Sequence, residues 1–323
     1  VNSLLDLAVI LVSWNVRALI LDAIRTVNDD LAASGLTYEL WVVDNGSQDG
    51  SIEAIRAAFP QVRLLAFNDN LGFAGANNVA LRALGFRDIP QPNPDGPRAV
   101  YLLNPDTRTH PGATARMFQT LMELPDAGIV GARLEYEDGA FQHGAFGFPG
   151  LRQIFIELFP VDRLPSRLFG RLYNSGVNGR YAQRRYHGGK PFRVGHTLGA
   201  TMMIKREAIE KTGLFDDQFF MYVEEVDWSL RIRRAGFHNY CEPRALVTHL
   251  AGQSTKQIRA QSLLNLWKSR FRFYRKHYSP LYVAAVRALV RTGAKIQTRR
   301  AHEQLPDGIR DEIVNVWHTV GQL

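Results

Sequence analysis

Leu7-Ala-Val-Ile-Leu-Val-Ser-Trp-Asn15 is followed, after a helical pattern, by Tyr38-Glu-Leu-Trp-Val-Val-Asp-Asn-Gly-Ser47. The apolar run from Leu7 to Ser13 has no polar alternation, which marks a strand buried on both faces. Between the two runs Ile20, Ile24, Val27 and Leu31 recur at three- and four-residue steps, predicting one apolar helix face. Tyr38 to Asp44 is a second strand, ending in the turn-rich Asn45-Gly-Ser-Gln-Asp-Gly50. The alternation continues outward. Ser51 to Phe59 reads as helix, Val62 to Phe67 as strand, Asn77 to Leu84 as helix, and Ala99 to Leu103 as a fourth strand. Residues 90–98, with four prolines and a glycine, read as an exposed loop. This repetition predicts an α/β fold with a Rossmann-like, mostly parallel sheet flanked by helices. Ligands in such sheets lie beyond the carboxyl ends of the strands. Three of those ends carry polar clusters: Ser13-Trp-Asn15, Asp44-Asn-Gly-Ser47 and Asn104-Pro-Asp106.

At 323 residues and 46% hydrophobic content the chain can bury a full core. The single cysteine, Cys241, excludes an intrachain disulfide and sits in an apolar-flanked stretch, expected to be a buried, inert thiol. The chain begins at Val1, so the reading leaves room for a trimmed start. No apolar run reaches the length of a membrane span; Leu281 to Val290 comes nearest and contains Arg287. The net charge of +8 is uneven, because residues 256–300 hold twelve Lys/Arg and no Asp or Glu. The remainder, carrying all 31 acidic residues, is slightly acidic. Such asymmetry points to a polyanionic surface.

The second half is less regular. Residues 141–196 read as loops and short helices, Ala200 to Ile204 as a strand, Val223 to Ala235 as a helix and Ala245 to His249 as a final strand. From Leu264 onward Trp267, Phe271, Tyr274 and Tyr278 form an aromatic stripe on a basic helix. The expected division is a catalytic domain over 1–255, its halves 1–110 and 111–255, and a basic helical extension over 256–323.

Four places could carry chemistry. Asp44 can accept hydrogen bonds from a base N–H or a ribose hydroxyl, or it organises the turn after it. Asp106 suits a hard divalent cation, and Asn104-Pro-Asp106 equally suits a type I turn that would hold the carboxylate still. In Glu224-Glu-Val-Asp227 the first and last share a helix face, and Arg231 stands one turn beyond Asp227. Asp227 is therefore expected to be structural, leaving a glutamate to act as a base. His249 ends a strand and can ligate a metal, or simply pack.

Taken together, these segments resemble the family 2 glycosyltransferases, most nearly a bacterial rhamnosyltransferase-like branch. The resemblance rests on Val12-Ser-Trp-Asn15, Val42-Val-Asp-Asn-Gly-Ser47, Asn70-Leu-Gly-Phe-Ala-Gly-Ala-Asn-Asn78 and Leu102-Leu-Asn-Pro-Asp106. It continues with Gly213-Leu-Phe-Asp216, Phe220-Met-Tyr-Val-Glu-Glu-Val-Asp-Trp228, and His249 with Gly252 and Ser254. It implies a glycosyltransferase-A (GT-A) fold and an inverting transfer from a nucleotide diphosphate sugar, first of all rhamnose from dTDP-rhamnose. The acceptor would be a glycan or a lipid-linked sugar in cell-surface polysaccharide synthesis. The resemblance also implies the roles. Asp44 would hold base or ribose with Asn15, Ser13 and Asn45 nearby, while Asn70, Gly72, Asn77 and Asn104 would line the donor pocket. Asp106 and His249 would join a Mg²⁺ or Mn²⁺ site, and Glu225 would be the base, with Glu224 and Asp216 as substitutes. Two positions depart from the family pattern: Asn104 stands for the first aspartate of the metal motif, and Glu225 for an aspartate base. These keep open a non-catalytic sugar-nucleotide or glycan-binding relative.

A dinucleotide-dependent oxidoreductase would need Gly-x-Gly-x-x-Gly after the first strand, where this chain has Ser13-Trp-Asn-Val-Arg-Ala-Leu. A nucleotidyltransferase would want a glycine- and basic-rich loop there. The basic tail is read as a membrane-surface helix, with Trp267, Phe271, Phe273 and Tyr274 dipping in and Arg/Lys meeting anionic lipid. The alternatives are a packing helix with a solvated basic face and nucleic-acid binding. On the membrane reading the protein would be cytoplasmic and peripheral on the inner face of the cell membrane.

Overall fold

The computed structural model describes residues 5–251 and 259–323. Gly252 and Ser254 of the motif around His249, and the start of the basic segment at Lys256, lie outside the described residues.

The first half alternates as the apolar periodicity predicts: β1 (Leu7–Ser13), α1 (Arg17–Ala32), β2 (Tyr38–Asn45), α2 (Ser51–Ala58), β3 (Arg63–Phe67), α3 (Gly72–Ala83) and β4 (Ala99–Leu103). Then come β5 (Thr107–Thr109), α4 (Ala113–Glu123), β6 (Ala127–Glu135), β7 (Phe141–Gln142) and β8 (Ala145–Phe146). Between 147 and 182 lie α5 (Leu151–Leu158) and α6 (Ser166–Tyr173), with 3-10 turns at Val161–Arg163 and Gly176–Asn178. The chain continues through α7 (Gln183–Tyr186), β9 (Phe192–Val194), β10 (His196–Thr197), β11 (Thr201–Lys205), α8 (Arg206–Thr212), α9 (Glu224–Arg234) and β12 (His238–His249). It ends in α10 (Arg259–His277), α11 (Pro280–Gln304) and α12 (Asp307–Val320).

The main sheet runs β3-β2-β1-β4-β11-β6-β12-β5, with β7 beside β6 and β9 beside β12; β8 and β10 pair separately. β1 is parallel to β2 and β4, and β2 to β3, while β11 runs antiparallel between β4 and β6. Because β11 is reversed, its first residues stand beside the carboxyl end of β4, and Asn104 N–H donates to Ala200 O at 3.0 Å. β1 is buried on both faces, as its unbroken apolar run requires. Leu7, Val9 and Leu11 pack with Ile20, Ile24 and Val27 of α1, whereas Ala8 and Ile10 pack with Ala76 and Ala80 of α3 and Trp228 of α9. α3 begins five residues before the predicted Asn77. Cys241 is buried, and burial pushes its thiol pKa up, so the expected inert thiol is what the fold produces.

The chain divides into two compact units. One holds the sheet and its flanking helices. The other holds α5, α6, residues 221–223 and α10–α12. Within the second, the aromatic stripe of α10 departs from the sequence reading. Trp267, Phe271, Phe273 and Tyr274 are at most 1% exposed, so they pack inside the protein and cannot dip into a membrane. Trp267 lies 6.2 Å from Trp317 of α12. The basic segment is also partly neutralised there: Arg270 pairs with Glu157 at 2.7 Å and Arg300 with Asp162 at 2.5 Å. Among the described residues no helix is long and apolar enough to cross a membrane.

Candidate active site

Ser13 and Asp44 end neighbouring parallel strands and are register partners. Residues paired in this way face the same side of a sheet. Both are fully buried; Ser13 Oγ and Asp44 Oδ2 have no hydrogen-bond partner, while Asp44 Oδ1 accepts from Ser47 N at 2.8 Å. Asp44 thus organises its turn with one oxygen and presents the other. Buried unsatisfied oxygens are uncommon and call for a ligand or solvent partner. Asn77 on α3 adds a third, its Oδ1, while its Nδ2 donates to Phe73 O at 2.9 Å.

The loops around these groups are tied to one another. Asn15, at φ 50°, donates N–H to Ser47 Oγ at 2.9 Å and accepts from Gln48 N at 2.8 Å. Asp49 accepts from Arg17 N at 2.8 Å and from Ser51 N at 3.1 Å, so one carboxylate satisfies the first turns of both α1 and α2. Burial works against its charge, but the hydrogen bonds from Ser51 and Arg17 prevail and hold its pKa below the usual range.

Asn45 and Asn70, expected at the donor, are bonded to each other at 2.8 Å. Asn45 also reaches Gly72 O and Leu71 N, and Asn70 accepts from Gly72 N, so the pair fixes the entry to α3. The close approach that Gly72 permits is to protein: at φ 73° its Cβ would sit 2.2 Å from Phe220 O.

Asp106 and His249 meet across the β5–β12 pairing, where Thr107 faces His249. Both are buried, and His249 Nε2 lies 3.4 Å from Asp106 Oδ1 without forming a hydrogen bond. His249 Nδ1 is 3.0 Å from Gln142 Oε1 on β7. An amide oxygen in that position takes the proton of Nδ1, so the nitrogen on which the neutral ring keeps its lone pair is Nε2, the one nearer Asp106. A carboxylate and an imidazole lone pair so placed fit a divalent cation. Among the described residues no group of three or more His, Cys, Asp or Glu could hold a metal, so phosphate and water oxygens would complete its shell. The Asn104-Pro-Asp106 turn forms as expected, closed by Thr107 Oγ1 donating to Asn104 O at 2.7 Å.

The acidic helix start divides as its spacing predicts. Glu224 and Asp227 are buried on one face of α9, and Glu225 is half-buried on another. Asp227 accepts from Arg231 at 2.8 Å, and the same guanidinium donates to Thr212 O and Leu214 O. The Glu225 Cβ is 3.9 Å from where a Cβ on Gly199 would lie, and Phe73 is 3.7 Å from that same point. Glu225 therefore lies near Gly199, which leads into β11, on the side where the Phe73 ring of the first turn of α3 also approaches. Asp216 uses Oδ1 to accept from Gln218 N at 3.1 Å, and Asn78 holds the preceding residue through both N–H and carbonyl of Phe215. The structure thus puts Ser13 beside Asp44, Asp106 beside His249, and Glu225 beside the β11 start. Asp216 lies in its own turn. Gln142, Asp49 and Asn78 were missed by the sequence reading. Asp49 alone had a signal there, an Asp two residues before a helix.

The description "Glycosyl transferase family 2" matches residues 8–213 of the chain. The chain is 27% identical over 278 residues to an N-acetylglucosaminyl-diphospho-decaprenol L-rhamnosyltransferase of Mycobacterium tuberculosis, covering 83% of this chain and 84% of that protein. A low-salt glycan biosynthesis hexosyltransferase, Agl10 of Haloferax volcanii, is 24% identical over 225 residues, or 69% of this chain and 62% of that one. Among solved structures, the mannosyltransferase PcManGT of Pyrobaculum calidifontis, in complex with GDP-Man and Mn²⁺, superposes with a TM-score of 0.53 at 16% identity. It covers 99% of this chain and 87% of that one. GalNAc-T7 with UDP, GalNAc and Mn²⁺ gives a TM-score of 0.57 at 13% identity, the match spanning 98% of this chain and 55% of that one. These structures share the GT-A architecture of a mixed, mostly parallel sheet flanked by helices. With the family pattern spanning most of the sheet and a rhamnosyltransferase relative matching along most of its length, the chain belongs to glycosyl transferase family 2.

Proposed function

We propose that the protein is an inverting, metal-dependent glycosyltransferase whose donor is a nucleotide diphosphate sugar, with dTDP-rhamnose the first candidate. The observation that carries this reading is the pair of buried side chains Asp106 and His249, 3.4 Å apart with Nε2 lacking a hydrogen bond. The rhamnosyltransferase relative supports the choice of sugar, and its name supports a lipid-linked glycan as acceptor.

In this reading Ser13 Oγ and Asp44 Oδ2 take the base N–H or ribose hydroxyls, and Asn77 Oδ1 takes a further donor hydroxyl. Asn15, Asn45, Asn70 and Gly72 position the loops that carry these groups, and Asn104 lines the diphosphate side. Asp106 and His249 would hold Mg²⁺ or Mn²⁺, which when bound supplies charge neutralisation to the departing diphosphate. Glu225 takes the proton of the acceptor hydroxyl. That oxygen bonds to C1 of the sugar from the face opposite the diphosphate, and the C1–O bond to diphosphate breaks. One base suffices for inversion. Glu225 is preferred over Glu224 because it is half-buried where Glu224 is buried, and over Asp216 because that carboxylate braces a turn. The acceptor reading also makes the protein peripheral at an anionic membrane surface.

The test is a donor screen by thermal shift with and without Mn²⁺, followed by transfer to a lipid-linked acceptor and assignment of the product anomer by NMR. An axial-to-equatorial change at C1 is expected, or the reverse. Retention of configuration sinks the mechanism. Donor binding with neither transfer nor hydrolysis would favour the non-catalytic relative, the reading that Asn104 and Glu225 keep in play.

A further inference from the structure

Exposed apolar surface is concentrated in one stretch of the helical unit. Phe155, Leu164, Leu168, Tyr173 and Val177 are each between 38 and 52% exposed. α6 contains no buried residue at all. At helical spacing Leu168, Phe169, Leu172 and Tyr173 share one face, and Arg167 and Arg171 flank it. The Phe169 and Tyr173 rings are 5.4 Å apart, and the Arg180 guanidinium lies 3.7 Å from the Tyr173 ring centre. An eight-residue helix gains little from its own hydrogen bonds in water, so an amphipathic one with its apolar face uncovered implies a partner.

Charge identifies that partner. From Arg163 to Arg180 the segment holds four arginines and no acidic residue. Asp162, at its edge, is paired with Arg300 at 2.5 Å. A second copy docking through the same face would set these arginines against their equals, which is repulsive. Nucleic acid would engage the arginines but leave the leucines in water. An anionic bilayer surface satisfies both, with side chains entering the headgroup boundary and guanidinium groups on lipid phosphates.

We propose that α6, with the turn after it, is the anchor by which the protein lies on an anionic membrane. This rests on the reading that the enzyme is peripheral at a membrane, and it locates the contact at residues 163–180 rather than on the basic C-terminal helices. Flotation of the full chain tests it, using phosphatidylglycerol/phosphatidylcholine vesicles against phosphatidylcholine alone. Wild type is expected to float with the anionic vesicles. The Leu168→Asp/Tyr173→Asp and Arg167→Glu/Arg171→Glu variants are each expected to lose roughly tenfold or more in partitioning. Their melting temperature and nucleotide-sugar thermal shift should stay at wild-type values, because α6 buries nothing. Charge reversal at the exposed Arg291 and Lys295 of α11 should leave flotation within about twofold. If wild type fails to float, or floats equally on neutral vesicles, the membrane reading and the anchor both fall. If the α6 variants float like wild type, the anchor falls and the membrane reading stands. Self-association in sedimentation velocity that Leu168→Asp abolishes would also overturn it, assigning the face to a second copy.

Discussion

An imidazole offers a cation one lone pair, and the nitrogen that keeps it is set by what the other nitrogen bonds. In His249 that choice falls to Gln142, 3.0 Å from Nδ1. Replacing Gln142 with Leu keeps the bulk and removes the acceptor, freeing the ring to turn or change tautomer. Mn²⁺ binding in the presence of a nucleoside diphosphate, followed by the electron spin resonance of free Mn²⁺, is then expected to weaken about 10- to 100-fold. His249→Ala should weaken it further. Equal affinity in wild type and Gln142→Leu would remove Gln142 from the site, and equal affinity in His249→Ala would remove the metal. Nothing in Phe141-Gln-His143 marks Gln142 in the sequence, because its partner is 107 residues away and only the fold joins them. The glutamates of α9 were more legible. Their helical spacing separates Glu225 from the buried Glu224/Asp227 face, and the fold bears out that separation. Glu225→Gln is expected to lower kcat by about 10²- to 10⁴-fold while leaving donor KM within a few-fold. Glu224→Gln should act chiefly on stability, so a collapse of kcat in that variant with Glu225→Gln active would exchange their roles.

Elements were legible where one physical signal dominates. β1, β2, β4 and α1 follow from apolar runs and three-four spacing alone. The first turn of α3 did not, because Gly72-Phe-Ala-Gly75 carries no amphipathic pattern and two glycines argue against helix. Tertiary bonds form it instead: Asn45 holds Leu71 N, and Phe220 O accepts from Phe73 N at 2.9 Å. Gly72→Ala would drive a Cβ to 2.2 Å from that carbonyl at a left-handed φ, costing roughly 3 kcal/mol or more. A lowered melting temperature with lost donor binding is expected, and a melt at the wild-type temperature would mean the contact is not tight. The direction of β11 was equally hidden, since a short buried strand reads the same either way. On β12, Glu242 is fully buried, accepting from Thr120 Oγ1 at 2.6 Å and from Arg244 at 2.9 Å. Burial favours its neutral form, but the hydrogen bonds from Arg244 and Thr120 outweigh this and lower its pKa below the ordinary 4.5. The unfolded chain therefore takes the proton first as the solution is acidified. The stabilisation is complete above pH 4.5 and is lost as pH falls through the folded value. Glu242→Gln should cost about 1.5–3 kcal/mol at pH 7. Its melting deficit relative to wild type should shrink toward pH 3, and a deficit constant with pH would rule the carboxylate out.

At the scale of the whole chain, composition drew attention to the basic residues from 256 onward, but it could not show which charges meet. Arg270 and Arg300 find Glu157 and Asp162 more than a hundred positions earlier, and such pairings are invisible to a count. The division into two units matters for how ligands report on the site. Every residue assigned to donor and metal lies in the unit containing the sheet. A ligand raises the stability of the structure that binds it by RT ln(1 + [L]/Kd), about 2.7 kcal/mol at a hundredfold excess over Kd. For a unit of this size that is a rise of roughly 5–10 °C in melting temperature. A nucleoside diphosphate with Mn²⁺ should therefore raise the transition of the sheet unit, and where the helical unit melts separately, its transition should stay in place. The increment has two separable parts. Asp106→Asn should lose only the rise that depends on Mn²⁺, keeping what the nucleotide gives in EDTA. Asp44→Asn should lose the rise in EDTA, because it removes the carboxylate proposed to meet base or ribose. If both variants lose the same increment, Asp44 and Asp106 do not hold separate parts of one ligand. If neither does, the carboxyl ends of β2 and β4 are not where the nucleotide binds.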